Sequence, residues 1–537
     1  MEVVLSRLLP LGRWSFVVCL CVACSGAGEN ERSNTGAGGH APCVECSQGG
    51  KGVESDGGAG AEASSAGSSG ADDSGAGDSG GAPATGDGLA LSEISFWQAL
   101  RVPLELAGAV AKPNAPVILN KAGILRAYVT PDAGFVPRQL SAVLELGADT
   151  NVKTVESKKL IRDASEDSDF LTTFNFPIET DQVIAGAKYS ITVRDGTGGR
   201  VLARFPSAGR SPLGAESVAL HNTMQIVLVP IVVGGIEPNV SAPVVAKFRT
   251  RVLAMYPLAD VTITLHPAVT STVKVGPDKG WDELLDSVYA LRAKDAPAAN
   301  VFYYGLFTPT KTFDDYCTAA CTVGYSIVAE LSSEEDRGSL GLGIFADGSN
   351  SDAPDTMAHE LGHALGRDHA PCETQDPGPF PYKGGKIGSW GFDPQNHKLL
   401  DPSVYGDVMG YCTPDWVSDF TYRGLFKRLV SVNAEVVVAK SAFPAAAPNA
   451  YQRVLLAGDG SLRWGSRFTS RRAPEGDVRE VTLLGVDGSS LGSVAARVRR
   501  YGDAAGGFLL LPESVLDAAA GIAAIRVGNA VLTLPTR

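Results

Sequence analysis

The chain has 537 residues, 44% of them hydrophobic, and a formal charge of −13 that excludes the basic balance nucleic-acid binding needs. Its length excludes a single core and suggests about three domains. The acidity is concentrated, because residues 25–90 hold ten Asp/Glu against two Lys/Arg, so it belongs to a tether and says little about a substrate.

Residues 1–24 place Arg7 and Arg13 before an apolar run at 14–23. That run is too short to span a bilayer as a mature helix and is read as a secretory signal. It ends Cys21-Val22-Ala23-Cys24, which resembles the lipobox of bacterial lipoproteins. The resemblance implies lipidation of Cys24 and a protein held at a bacterial cell surface or outer membrane; plain cleavage and full secretion is the alternative. Residues 25–91 are Gly, Ala, Ser and Asp with almost no branched or aromatic side chains. Such a stretch buries too little apolar surface to offset the entropy of ordering, so a disordered linker is expected.

From residue 92 short apolar runs alternate with Pro, Gly and Asn, at 117–119, 123–129, 142–146, 170–176 and 189–193. This spacing predicts a β-sandwich accessory domain over 92–218. A strand at 224–233, a helix at 243–256, a strand at 261–265, a helix at 281–292 and a strand at 301–306 then predict a central α/β (α+β) domain over 219–433. Further strands are expected within 324–330 and 339–345. Runs at 435–439, 453–456, 481–484, 508–511 and 523–527 predict a second sandwich over 434–537. The fold class expected is therefore multidomain, a central α/β domain between two all-β sandwich domains.

Residues 359–369 carry the chemistry: His359-Glu360-x-x-His363-x-x-Gly366-x-x-His369. At 3.6 residues per turn, His359 and His363 project from one helix face and can share an ion. A continuing helix would carry the third histidine away, so the chain must break; Gly366 permits this, because glycine takes the left-handed conformation without a Cβ clash. Three imidazoles leave one corner of a tetrahedral Zn2+ open, as in catalytic rather than structural sites. Glu360 is the candidate general base and acid. A buried helix with merely packed histidines is the alternative, but three of the chain's seven histidines fall in this one pattern. His40, His221, His266 and His397 read as structural or surface residues.

This motif, followed by Asp407-Val408-Met409-Gly410-Tyr411, resembles the metzincin zinc metalloproteases. More loosely, residues 220–430 resemble secreted bacterial metzincins that cleave mucins. The resemblance implies that Met409 floors the metal site and that Tyr411 is an extra ligand or oxyanion donor. It also implies that one strand near 324–345 is an edge that pairs with an extended protein or glycoprotein substrate. The implied function is a zinc endopeptidase; an adhesion or glycan-binding protein on an inactive scaffold and a zinc amidase acting on cell-wall peptide are the alternatives. A monomer is expected, with membrane contact only through the anchor.

An exported chain allows disulfides. Of the three pairings open to Cys317, Cys321, Cys372 and Cys412, the preferred one joins Cys372 to Cys412 and Cys317 to Cys321, pinning the two halves of the site together. The oxygen-rich loop 347–355 is a candidate Ca2+ site, although turning the chain and capping a helix would use the same residues. Phe380, Tyr382, Trp390 and Phe392, in the long loop after His369, are expected to shape a substrate pocket. Arg463, Arg467, Arg471 and Arg472 form either a polyanion-binding face or a solvated strand edge.

Overall fold

The computed structural model describes residues 88–216, 223–331, 333–374, 377–441, 447–518 and 521–535. The signal at 1–24 with Cys24, the linker up to residue 87, His40 and His221 lie outside the described residues. Two antiparallel sheets form the first β region. One orders Ala109–Val110, Arg101–Leu106, Leu89–Trp97, Gly123–Pro131 and Phe174–Ile178; the other orders Val201–Phe205, Lys188–Arg194, Arg138–Ala148 and Asn151–Ile161. Alternation sends Phe96, Leu125 and Ala127 from the first and Leu144, Ile191 and Val193 from the second into one core.

The central sheet has five main strands: β1 (Thr223–Val233), β2 (Asp260–Leu265), β3 (Val301–Phe307), β4 (Gly324–Ser326) and β5 (Gly338–Leu342). Their order is β2-β1-β3-β5-β4, parallel throughout except β4, which runs antiparallel to β5 at the edge. Helices α1 (Ala242–Met255) and α2 (Trp281–Asp295) connect the parallel strands, as crossovers between parallel neighbours require. Helix α3 (Ala353–Ala364) follows β5 and carries the histidine motif.

Residues 435–439 are not a strand. They continue α4, which runs Asp419–Ser441. Its valine triplet favours extended backbone only weakly, whereas Leu425, Leu429 and Val432 at helical spacing are fully buried and carry the helix on.

The C-terminal region also departs from expectation, forming one seven-stranded antiparallel sheet instead of two facing sheets. The sheet curls until Trp464 Nε1 on the first strand donates to the Thr533 carbonyl on the last at 2.7 Å. Its central strands are β6 (Ser490–Arg500) and β7 (Gly507–Pro512). Leu509 and Leu511 of β7 face the inside of the curl, while Phe508 and Leu510 pack against Trp281, Leu285, Val288 and Tyr289 of α2. The unbroken apolar run at 508–511 is thus buried on both faces. Arg463 pairs with Asp282 and Glu283, Arg467 with Glu513 and Arg472 with Glu435, so these three arginines form a solvent-facing edge of ion pairs. Among the described residues no helix is long and apolar enough to cross a membrane.

Candidate metal centre

Helix α3 buries Met357, Ala358, Leu361 and Ala364 on its core side and turns His359 and His363 towards one point. It ends at Gly366, whose φ of +72° is the left-handed break; the Gly366 amide donates to the His363 carbonyl at 2.7 Å and Arg367 N to the Gly362 carbonyl at 2.9 Å. The chain turns back and delivers His369 to the same point.

Two of the rings are locked. His359 Nδ1–H donates to the Val408 carbonyl at 2.7 Å and His363 Nδ1–H to the Arg367 carbonyl at 2.6 Å. With the proton on Nδ1, each Nε2 presents a bare lone pair, yet His363 Nε2 stands 3.0 Å from that of His359 and 3.2 Å from that of His369. Neutral lone pairs at that distance repel unless a cation lies among them. A tetrahedral ion with bonds of about 2.0–2.1 Å would set its ligands about 3.3 Å apart, so the donor set fits a metal.

Beneath the rings, Met409 is buried and its sulfur fills the space where a Cβ on Gly362 would lie, 2.4 Å away. The turn holding Met409 is organised by Asp407. Its carboxylate accepts from Met409 N at 2.8 Å, Ser418 N at 2.9 Å and Thr421 Oγ1 at 3.0 Å. A disulfide joins Cys372 to Cys412 and another joins Cys317 to Cys321, the pairing preferred on sequence grounds. Across the first of these the turn is laced to the segment after His369 by Ala370 N to the Met409 carbonyl and Tyr411 N to the Cys372 carbonyl, both 2.9 Å.

Glu360 is buried against Gly324 of β4. One residue at this point had no signal in the sequence: Asp503, from the turn between β6 and β7. Its Oδ1 lies 3.3 Å from His359 Nε2 and 3.2 Å from His369 Nε2, and it accepts from the Tyr411 hydroxyl at 2.9 Å. The four donors of His359, His363, His369 and Asp503 lie within 4.8 Å of one another. Burial pushes the Glu360 carboxyl well up, and the neighbouring Asp503 charge pushes it further. Glu360 Oε2 and Asp503 Oδ2 are buried without hydrogen-bond partners.

A cavity of about 580 Å³ opens beside Glu360. It is lined by Thr322 to Gly324 on one side and by Thr356, Thr413 and Tyr411 on the other, with Asp355 and Asp415 in its wall. Arg251 bonds Asp355 and lies 3.5 Å from Asp415. The aromatic loop lies elsewhere. Phe392 joins Trp97 and Tyr128 in a seam with the first β region, where Phe392 N and Trp416 Nε1 both reach the Ala99 carbonyl. Phe380 packs on Phe420, and Tyr382 bonds Asp419. None of these lines the cavity, because Phe392 packs on the first β region and Phe380 and Tyr382 on the start of α4.

The loop at 347–355 does not gather its oxygens. Asp347 accepts from Ser349, Asn350 donates to the Gly343 carbonyl, and Asp355 faces Arg251. His397 is exposed and His266 pairs with Asp295, both away from the cluster.

No curated protein sequence matches the chain. Among solved structures, Bacteroides uniformis beta-glucuronidase 2, covalently bound to cyclophellitol-6-carboxylate aziridine, aligns over 41% of this chain and 29% of its own length. The identity is 9% and the TM-score 0.14, too low to carry an argument. Residues 333–414, which hold α3, all three histidines and Met409, match the family model described as Peptidase M66. That match supports a metal-dependent peptidase related to mucin-cleaving metalloproteases.

Proposed function

We propose that the chain is an exported zinc endopeptidase of the metzincin type, acting on extracellular proteins or glycoproteins bound in extended form. The observation that carries this reading is the convergence of three Nε2 lone pairs, two of them locked by Nδ1–H bonds, beside a buried carboxyl group. Three imidazoles suit Zn2+ better than the oxygen-preferring ions. His359, His363 and His369 would hold the ion, which supplies Lewis acidity to a peptide carbonyl and to water.

The chain's own groups supply the rest. Glu360 takes a proton from water and returns it to the leaving amine, a task helped by a carboxyl whose affinity for protons is raised by burial. Tyr411 O–H, beside the rings of His359 and His369, is the donor for the oxygen that becomes negative. The outer edge of β4 next to Glu360 is the backbone surface that would pair with an extended peptide, and the 580 Å³ cavity would receive one side chain.

Cleavage of denatured casein and of a mucin-type glycoprotein tests the reading. Because Asp503 stands at the cluster, the assay uses the full chain and the full chain with Asp503→Ala, each with and without chelator and with Glu360→Ala added. Chelator-sensitive, Glu360-dependent cleavage is expected. Metal-loaded protein that cuts no peptide bond in either form would defeat the proposal.

A further inference from the structure

Residues 500–502 lie alongside the edge of β4. Val328 N donates to the Arg500 carbonyl at 3.1 Å, Gly502 N donates to the Ser326 carbonyl at 2.9 Å, and Ile327 and Tyr501 form an antiparallel bridge. The next residue is Asp503, with one carboxylate oxygen among the histidine nitrogens and the other free towards Glu360. An extended peptide on an edge strand, ending in a carboxylate at the cluster beside the general base, is what a cleaved substrate would leave behind. The C-terminal sheet reproduces that arrangement with its own chain.

We propose that Asp503 is the fourth ligand of the metal site and that residues 500–502 fill the peptide-binding edge, so that the C-terminal sheet closes the site against substrate. The inference rests on the zinc reading above and adds to it where the fourth corner goes.

Three features argue that this placement is built. The Asp503 oxygen lies 3.2 and 3.3 Å from two of the histidine nitrogens, the separation of about 3.3 Å expected between ligands of one tetrahedral ion. Gly502 lies so close to His363 that a Cβ there would be 2.6 Å from the ring, so glycine is required for the strand to reach the cluster. The strand is also anchored behind the loop. Arg499 Nε donates to Asp336 at 2.5 Å and its Nη2 to Ser333 at 2.6 Å, while the Tyr501 ring packs on Tyr325 at 4.8 Å. Buried charge pairs with aromatic packing hold the strand in one register, so the carboxylate arrives as part of a docked sheet and not as a wandering tail.

Cobalt(II) substitution with acetohydroxamate as the competing ligand tests this without relying on turnover. The full chain is loaded with cobalt and its visible spectrum titrated, beside Asp503→Ala and the near-isosteric Asp503→Asn. Acetohydroxamate should bind the alanine variant about a hundredfold more tightly than the unaltered chain, as for a site open in about 1% of molecules. The asparagine variant should fall between, and it keeps the test readable if the alanine variant folds poorly. Equal affinity in all three would overturn the plug while leaving the metal reading intact. Failure of any form to retain cobalt would overturn both.

Discussion

Replacing Gly366 by alanine tests how the third histidine is delivered. At φ +72° an alanine incurs a left-handed cost of about 1–2 kcal/mol. A Cβ there also falls 2.8 Å from the Ala329 carbonyl oxygen, a backbone atom that cannot swing aside. The Ala329 amide in turn donates to the His363 carbonyl at 3.0 Å, so displacement is passed to a second ligand. With about 1 kcal/mol for that contact the total is about 2–3 kcal/mol. If the strain is relieved by moving His369, metal affinity falls by about 30- to 140-fold, since each 1.4 kcal/mol is tenfold. Competition with a colorimetric chelator measures this directly. Gly366→Asn is the control, because asparagine tolerates the left-handed region better than alanine and should recover part of the loss. Alanine and asparagine variants that both bind metal within twofold of the unaltered chain would refute the delivery argument.

Glu360→Gln should lower peptide cleavage by at least about a hundredfold while leaving metal content unchanged, read by single-turnover assay and metal analysis. Asp407→Ala strips three donors of their acceptor beneath the site and should cost about 3–5 kcal/mol, visible as a lower Tm and weaker metal binding. Opening the Cys372–Cys412 bridge by Cys412→Ser should cost about 4 kcal/mol for a loop closed over a separation of 40 residues, measured by denaturant unfolding. Asp415 is pushed up to about 6 by burial and by Asp355, with Arg251 opposing. A raised folded value means that its contribution to stability is complete below the unfolded value of about 4 and is lost as pH rises through about 6, a change of about 3 kcal/mol at most. Denaturation of Asp415→Asn should therefore gain on the unaltered chain between pH 4 and pH 7; a constant difference across that window would contradict the assignment.

What the sequence disclosed follows from how far apart its informative residues lie. His359 and His363 sit one helical turn apart, and Gly366 marks the break by its chemistry alone, so the route of His369 was readable from local rules. The parallel strands were readable too, because β1 and β3 are buried on both faces and appear as continuous apolar runs. Strands with one solvated face were not. Asn151–Ile161 alternates Lys and Glu with few apolar residues and is mostly exposed, and Ser490–Arg500 gives the same weak signal. The valines of α4 misled for the opposite reason, since tertiary burial earlier in the helix outweighed local propensity.

Asp503 lies beyond any such rule. It sits 134 positions after His369 in Tyr501-Gly502-Asp503-Ala504-Ala505-Gly506-Gly507, which reads as an ordinary turn. Only the docking of the C-terminal sheet on α2 brings it to the histidines. Yet the open corner that makes three imidazoles useful for activating water also attracts any carboxylate that can reach it. A peptidase carrying its own extended strands on a neighbouring sheet must keep them off that corner or commit one to it. Here the edge of β4, the close approach at Gly502 and the Arg499 anchor all favour commitment. The domain that would otherwise be an accessory thus joins the chemistry of the site, and substrate must compete with a strand of the same chain for both the edge and the metal.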